Sequence, residues 1–109
     1  MTVENLIEKT GFNPTVLADS NREIDGVYIG DLLSWVMGRA KANDAWITIM
    51  SNLNVIAVAS LADVSCVIFA EGVMPDESLV RVANEKGVNL ISTTLSSYEA
   101  AVKISEILK

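Results

Sequence analysis

A chain of 109 residues is the size of one ordinary domain, and residues 1–109 read as a single unit. Fourteen acidic against eight basic residues leave a net charge of −6, with the cations spread too thinly to make a basic patch, so neither nucleic acid nor an anionic membrane is expected as a partner. The absence of histidine excludes a Cys/His catalytic pair and a His-based zinc site, while 50% hydrophobic residues and a mean hydropathy of +0.38 suggest that a partner covers some apolar surface.

In chain order, Thr2 to Thr10 reads as a helix with Val3, Leu6 and Ile7 on one face and Gly11 as its stop. Thr15 to Ala18 adds an edge strand. From Gly26 onward, short β-rich runs recur about every 20 residues: Val27–Ile29, Trp46–Ile49, Cys66–Ala70 and Asn89–Ser92. Asp31 is placed to cap a helix through Leu32, Trp35, Val36 and Arg39 that ends near Asn43. Trp35, Val36, Met37 and Gly38 suit core packing or a close-packed dimer face.

Asn52 to Ala62 is ambiguous, because Val55-Ile56-Ala57-Val58 suits a buried strand while Leu53, Ile56, Ala57 and Ser60 share a helical face. Connectivity favours the helix: parallel neighbours at Trp46–Ile49 and Cys66–Ala70 need a crossover of about a dozen residues or more. Residues 75–86 form a helix with Pro75 at its first position, Asp76 and Glu77 in its first turn and Gly87 as its left-handed stop. Ser96 and Glu99 make a capping box for a terminal amphipathic helix bearing Ala101, Ile104 and Leu108, with Glu99 and Lys103 spaced to pair.

The pattern specifies an α/β fold: three layers, α/β/α, around a mainly parallel sheet of four to five strands, with flanking helices and a C-terminal amphipathic helix. No apolar run reaches the roughly 18 residues of a membrane span, and Met1 to Gly11 does not resemble a secretory leader, so a cytoplasmic location is expected. The single Cys66 sits inside an apolar run and reads as a small core residue.

In an open parallel sheet, ligands gather beyond the carboxyl ends of the strands. That rule selects Asp31, Ser51, Asn52, Glu71, Gly72, Thr93 and Thr94 as candidate ligand-binding residues. Each has a structural reading too: Asp31 and Ser51 or Asn52 as caps, Gly72 as a turn residue, Thr93 and Thr94 as hydroxyls bonded to nearby backbone. Glu71, directly after a buried strand, is expected to face the cleft. No proton-transfer machinery, GxGxxG or GxxxxGK[ST] is present, so no catalytic residue, metal or cofactor is assigned.

The stretch Gly26-Val27-Tyr28-Ile29-Gly30-Asp31-Leu32-Leu33-Ser34-Trp35-Val36, with Asp44 to Ile49, Asn54 to Ala59 and Ala70-Glu71-Gly72, resembles the DRTGG-type domains over residues 21 to 98. The resemblance implies a fold similar to the N-terminal domains of HPr kinase/phosphorylase and of a uridine-nucleotide-binding Mur ligase. Relatives accompany CBS pairs and phosphotransacetylase domains, which implies a regulatory role. The Asp-Arg-Thr-Gly-Gly string is absent, so no functional residue carries over. Without a P-loop, and at this length, the chain is not expected to be an HPr kinase.

The expected function is therefore a non-catalytic regulatory or ligand-sensing domain that takes a small metabolite, a nucleotide or a protein partner, with homodimerisation favoured. Two alternatives stand beside it: a phosphoacceptor domain of the response-regulator kind, and a small enzyme using Glu71 or Asp31 as a general base.

Overall fold

The computed structural model describes residues 1–108. Its elements are α1 (Val3–Thr10), β1 (Asn13–Val16), β2 (Gly26–Ile29), α2 (Leu33–Arg39), β3 (Asp44–Thr48), α3 (Leu53–Ala62), β4 (Cys66–Phe69), α4 (Glu77–Lys86), β5 (Leu90–Ser92) and α5 (Ser97–Leu108). They build one five-stranded sheet in the order β1-β5-β4-β3-β2. The four strands β2 to β5 run parallel, and β1 pairs antiparallel with β5.

Because β2 to β5 are sequential neighbours, each connecting helix is a crossover of the same kind. Helices α2, α3 and α4 accordingly pack side by side on one face, and α1 and α5 cover the other. Alternation along each strand feeds both cores. Trp46, Val67, Phe69 and Leu90 join the layer under α2 to α4, while Ala45, Ile47, Cys66, Ile68 and Ile91 join the layer under α1 and α5. A strand buried on both faces has no polar side to show, which is why β4 reads as a continuous apolar run and β3 carries Ala45-Trp46-Ile47 between its polar ends Asp44 and Thr48.

Helix α3 settles the ambiguous segment. Val55, Ile56, Val58 and Ala59 are buried, Asn52 accepts a bond from the Asn54 N–H, and Asp63 ends the helix in a left-handed conformation. Tertiary burial between α2 and α4 overrides the modest helix propensity of its β-branched residues.

Three local expectations are corrected. Helix α2 stops at Arg39, four residues short of Asn43, and its cap position is Leu32 with no side-chain bond. Asp31 turns away to β3, as described below. At α4 the cap is Asp76, whose carboxylate accepts from the Leu79 N–H at 2.8 Å, so Pro75 lies just outside the helix. The edge strand begins two residues early, at Asn13, with a register irregularity between Pro14 and Val16. Pro14 has no N–H to offer a further strand, so this edge is blunted. The opposite edge is β2, whose Gly26-Val27-Tyr28-Ile29 carries neither charge nor proline.

Candidate functional site

The candidate residues all lie at the carboxyl end of the parallel strands, but they divide into two groups. Behind β2 and β3, Asp31 Oδ1 accepts bonds from the Thr48 hydroxyl and the Ile49 N–H, both at 2.9 Å. Thr48 in turn accepts from the Met50 N–H at 3.1 Å. The parallel register that sets Ile29 against Ile47 brings Gly30-Asp31 beside this turn, and the buried Trp46 indole donates to the Gly30 carbonyl at 2.9 Å. Asn52 caps α3. Ser51 is half-buried between them. Asp31 and Asn52 are therefore engaged with the chain's own backbone.

Behind β4 and β5 the loops are bound to each other. The Glu71 N–H donates to the Leu95 carbonyl at 2.8 Å and the Gly72 N–H to the Thr93 carbonyl at 2.9 Å. Consecutive left-handed residues, Glu71 (φ 60) and Gly72 (φ 78), turn the chain so that both donors point the same way. Glycine holds that conformation without strain, whereas Glu71 bears a cost of about 1 kcal/mol or more. The Glu71 side chain is exposed, contrary to the expectation that it faces the cleft: the positive φ swings it out of the strand-end line.

These loops and the α1–β1 turn enclose a groove of about 480 Å³, within the range of about 300–1,000 Å³ typical of small-ligand sites. Gly72, Thr93 and Thr94 line it, so the structure gathers three of the seven candidates there and leaves Asp31, Ser51, Asn52 and Glu71 outside. Two larger hollows of about 530 and 600 Å³ flank β2. Loops from several strand ends do not converge on either of them.

Among the further residues that line the groove are Asn13, Lys103 and Ser92, the last of which ends the β5 run directly before Thr93 and Thr94. Ser92 ends β5 and is 2% exposed, and its Oγ has no hydrogen-bond partner among the described residues. An enclosed hydroxyl left unpaired costs about 1–3 kcal/mol, which a ligand's polar group would relieve. Lys103 reaches the groove from α5. Its expected pairing with Glu99 does not form, because Glu99 Oε1 accepts from the Ser96 N–H at 3.1 Å in a capping box closed by Ser96 Oγ and the Glu99 N–H. Bonding to the carboxylate from the Ser96 backbone N–H foremost, and then from the Ser96 side chain, holds the Glu99 carboxyl below its ordinary range. Lys103 has no ion pair among the described residues.

Cys66 is buried and free, and burial pushes its thiol up to about 12 against a smaller opposing influence from Arg22, so at neutral pH it is a protonated core residue. Among the described residues, no three His, Cys, Asp or Glu side chains cluster to hold a metal ion, and no helix is long and apolar enough to cross a membrane. The acidic cluster that a phosphoacceptor site requires is not assembled among these residues.

A three-layer α/β domain with a polar groove where its last parallel strand meets an antiparallel edge is thus the class defined by fold and site. The DRTGG domain family matches residues 4–107, and the chain belongs to that family. No curated protein matches the sequence. Among solved structures, the chain is similar to the CBS and DRTGG domains of the regulatory region of Clostridium perfringens pyrophosphatase, complexed with the activator diadenosine tetraphosphate. The TM-score is 0.73 at 14% identity, covering 94% of this chain and 45% of that one, so the likeness is one of fold.

Proposed function

We propose that this chain is a non-catalytic regulatory domain that senses a small metabolite or nucleotide in the groove behind β4 and β5. The observation that carries the reading is the groove itself: loops from three parts of the chain converge on unpaired polar groups, with no nucleophile or general base beside them. The pyrophosphatase regulatory region, which shares the fold and is complexed with a nucleotide activator, supports the same reading. Gly72, Thr93 and Thr94 are its contact residues. Asp31, Ser51, Asn52 and Glu71 are not part of it.

A thermal-shift screen across nucleotides and central metabolites tests the proposal. A true ligand at a hundredfold excess over its Kd stabilises the fold by about 2.7 kcal/mol. Thr94→Trp, a bulky substitution at an exposed position that makes no side-chain bond, should fill the groove and abolish that shift without unfolding the protein. If no compound stabilises the chain, or Thr94→Trp leaves the shift intact, the reading is wrong.

The proposal extends to a cytoplasmic homodimer. Leu32, Trp35 and Met37 are exposed on and beside α2, with the Arg39 guanidinium 4.2 Å above the Trp35 ring, while Val36 alone of that stretch enters the core. Sedimentation equilibrium distinguishes one copy from two.

A further inference from the structure

The groove is unusual in a chain this acidic. Although the protein carries 14 acidic residues against eight basic, no carboxylate lines the groove, and one ammonium, Lys103, does. Its polar side chains divide by what they still have to give. Thr10 is saturated: its hydroxyl donates to the Leu6 carbonyl and accepts from the Phe12 N–H. Thr93 accepts from the Leu95 N–H and keeps its own proton for use elsewhere. Ser92, nine-tenths buried and more, has neither donor nor acceptor role filled.

The result is an ammonium and the uncommitted hydroxyl protons of Ser92, Thr93 and Thr94 with no competing acceptor charge, set against an apolar wall of Phe12, Met74 and Leu95. An ammonium on a flexible stem with separate hydroxyls suits the point-like charge of a tetrahedral phosphate, whereas a planar carboxylate is matched best by the fork of an arginine, which the groove lacks.

We infer that the groove binds the phosphate of a small phosphorylated ligand, with Lys103 as its counter-ion, Thr93 and Ser92 as hydroxyl donors, and Met74 and Leu95 against the ligand's less polar part. This rests on the ligand-sensing reading above and gives it a substrate class. It also assigns a purpose to the Ser96–Glu99 capping box, which keeps the neighbouring carboxylate from neutralising Lys103.

The test is amide NMR titration of the full chain with inorganic phosphate and with the matched pair AMP and adenosine, in the wild type, in Lys103→Gln and in Lys86→Gln, whose lysine lies outside the groove. Phosphate and AMP should shift the resonances of Ser92 to Leu95 saturably. Lys103→Gln should weaken AMP about tenfold, the loss of one charge-assisted contact, with Lys86→Gln unchanged. Equal loss in both lysine variants would reveal diffuse charge screening and overturn the inference. Adenosine binding as tightly as AMP, insensitive to Lys103→Gln, would overturn it while leaving a ligand-sensing groove in place. If none of the three probes shifts these resonances, the phosphate inference falls, and the wider reading then depends on the metabolite screen alone.

Discussion

Behind β2 and β3, the polar side chains close their own turns: Asp31 holds Thr48 and Ile49, and Asn52 holds the first turn of α3. Behind β4 and β5, backbone amides tie the two loops together, Glu71 to Leu95 and Gly72 to Thr93, with Thr93 Oγ1 accepting from the Leu95 N–H, and the Ser92 hydroxyl is left over. Both regions occupy the same end of the same sheet and draw on the same residue types. A polar side chain after a strand keeps a hydrogen-bonding role to offer only where main-chain bonds have carried most of the loop's closure.

The sharpest way to break this contrast is to remove Asp31. Asp31→Ala withdraws the acceptor from a hydroxyl and an amide and should cost about 1–2 kcal/mol, kept at the lower end because the carboxylate is exposed. Urea unfolding measures the loss. Ligand binding by the folded variant should be unchanged, and a binding defect would move Asp31 into the site.

Ser92→Ala is the counterpart on the other side. It removes an unpaired hydroxyl and nothing that the fold uses, so the ligand-free protein should be as stable as the wild type or up to about 1 kcal/mol more so. Affinity for a phosphorylated ligand should fall. A destabilised Ser92→Ala protein would show that the hydroxyl belongs to the structure after all, and the contrast would collapse.

The smallest effect concerns the start of α5. The Glu99 carboxyl is held below its ordinary value of 4.5 by its bonds to Ser96, so its stabilising effect is complete above that value and disappears as pH falls through the lower folded one. Thermal midpoints followed from pH 6 to pH 3 should lose this increment in the wild type and not in Glu99→Gln. The difference is slight, because the group is fully exposed.

The element order and most caps were legible in the sequence because their signals are local. Gly11, Gly87 and the Ser96–Glu99 pair each act within one turn of helix, and strand burial wrote itself as an apolar run in β4. Asp31 was legible as a hydrogen-bonding group but not in its choice of partner, since only the β2–β3 register brings Thr48 to it. Lys103 gave no signal as a site residue, and Ser92 only its place at a strand end directly before Thr93. One is a lysine on an amphipathic helix and the other a small residue ending a strand; their meeting depends on α5 crossing to the face opposite α4.

The proline-bearing strand at one side of the sheet bears on how copies of this chain associate. With that margin blunted by a missing N–H, a strand is added more readily beside β2. Two copies that join there about a two-fold axis turn their blunted margins outward. Strand-to-strand assembly is in this way disfavoured beyond the pair, and a single missing N–H weighs against the route from an open sheet to a fibre.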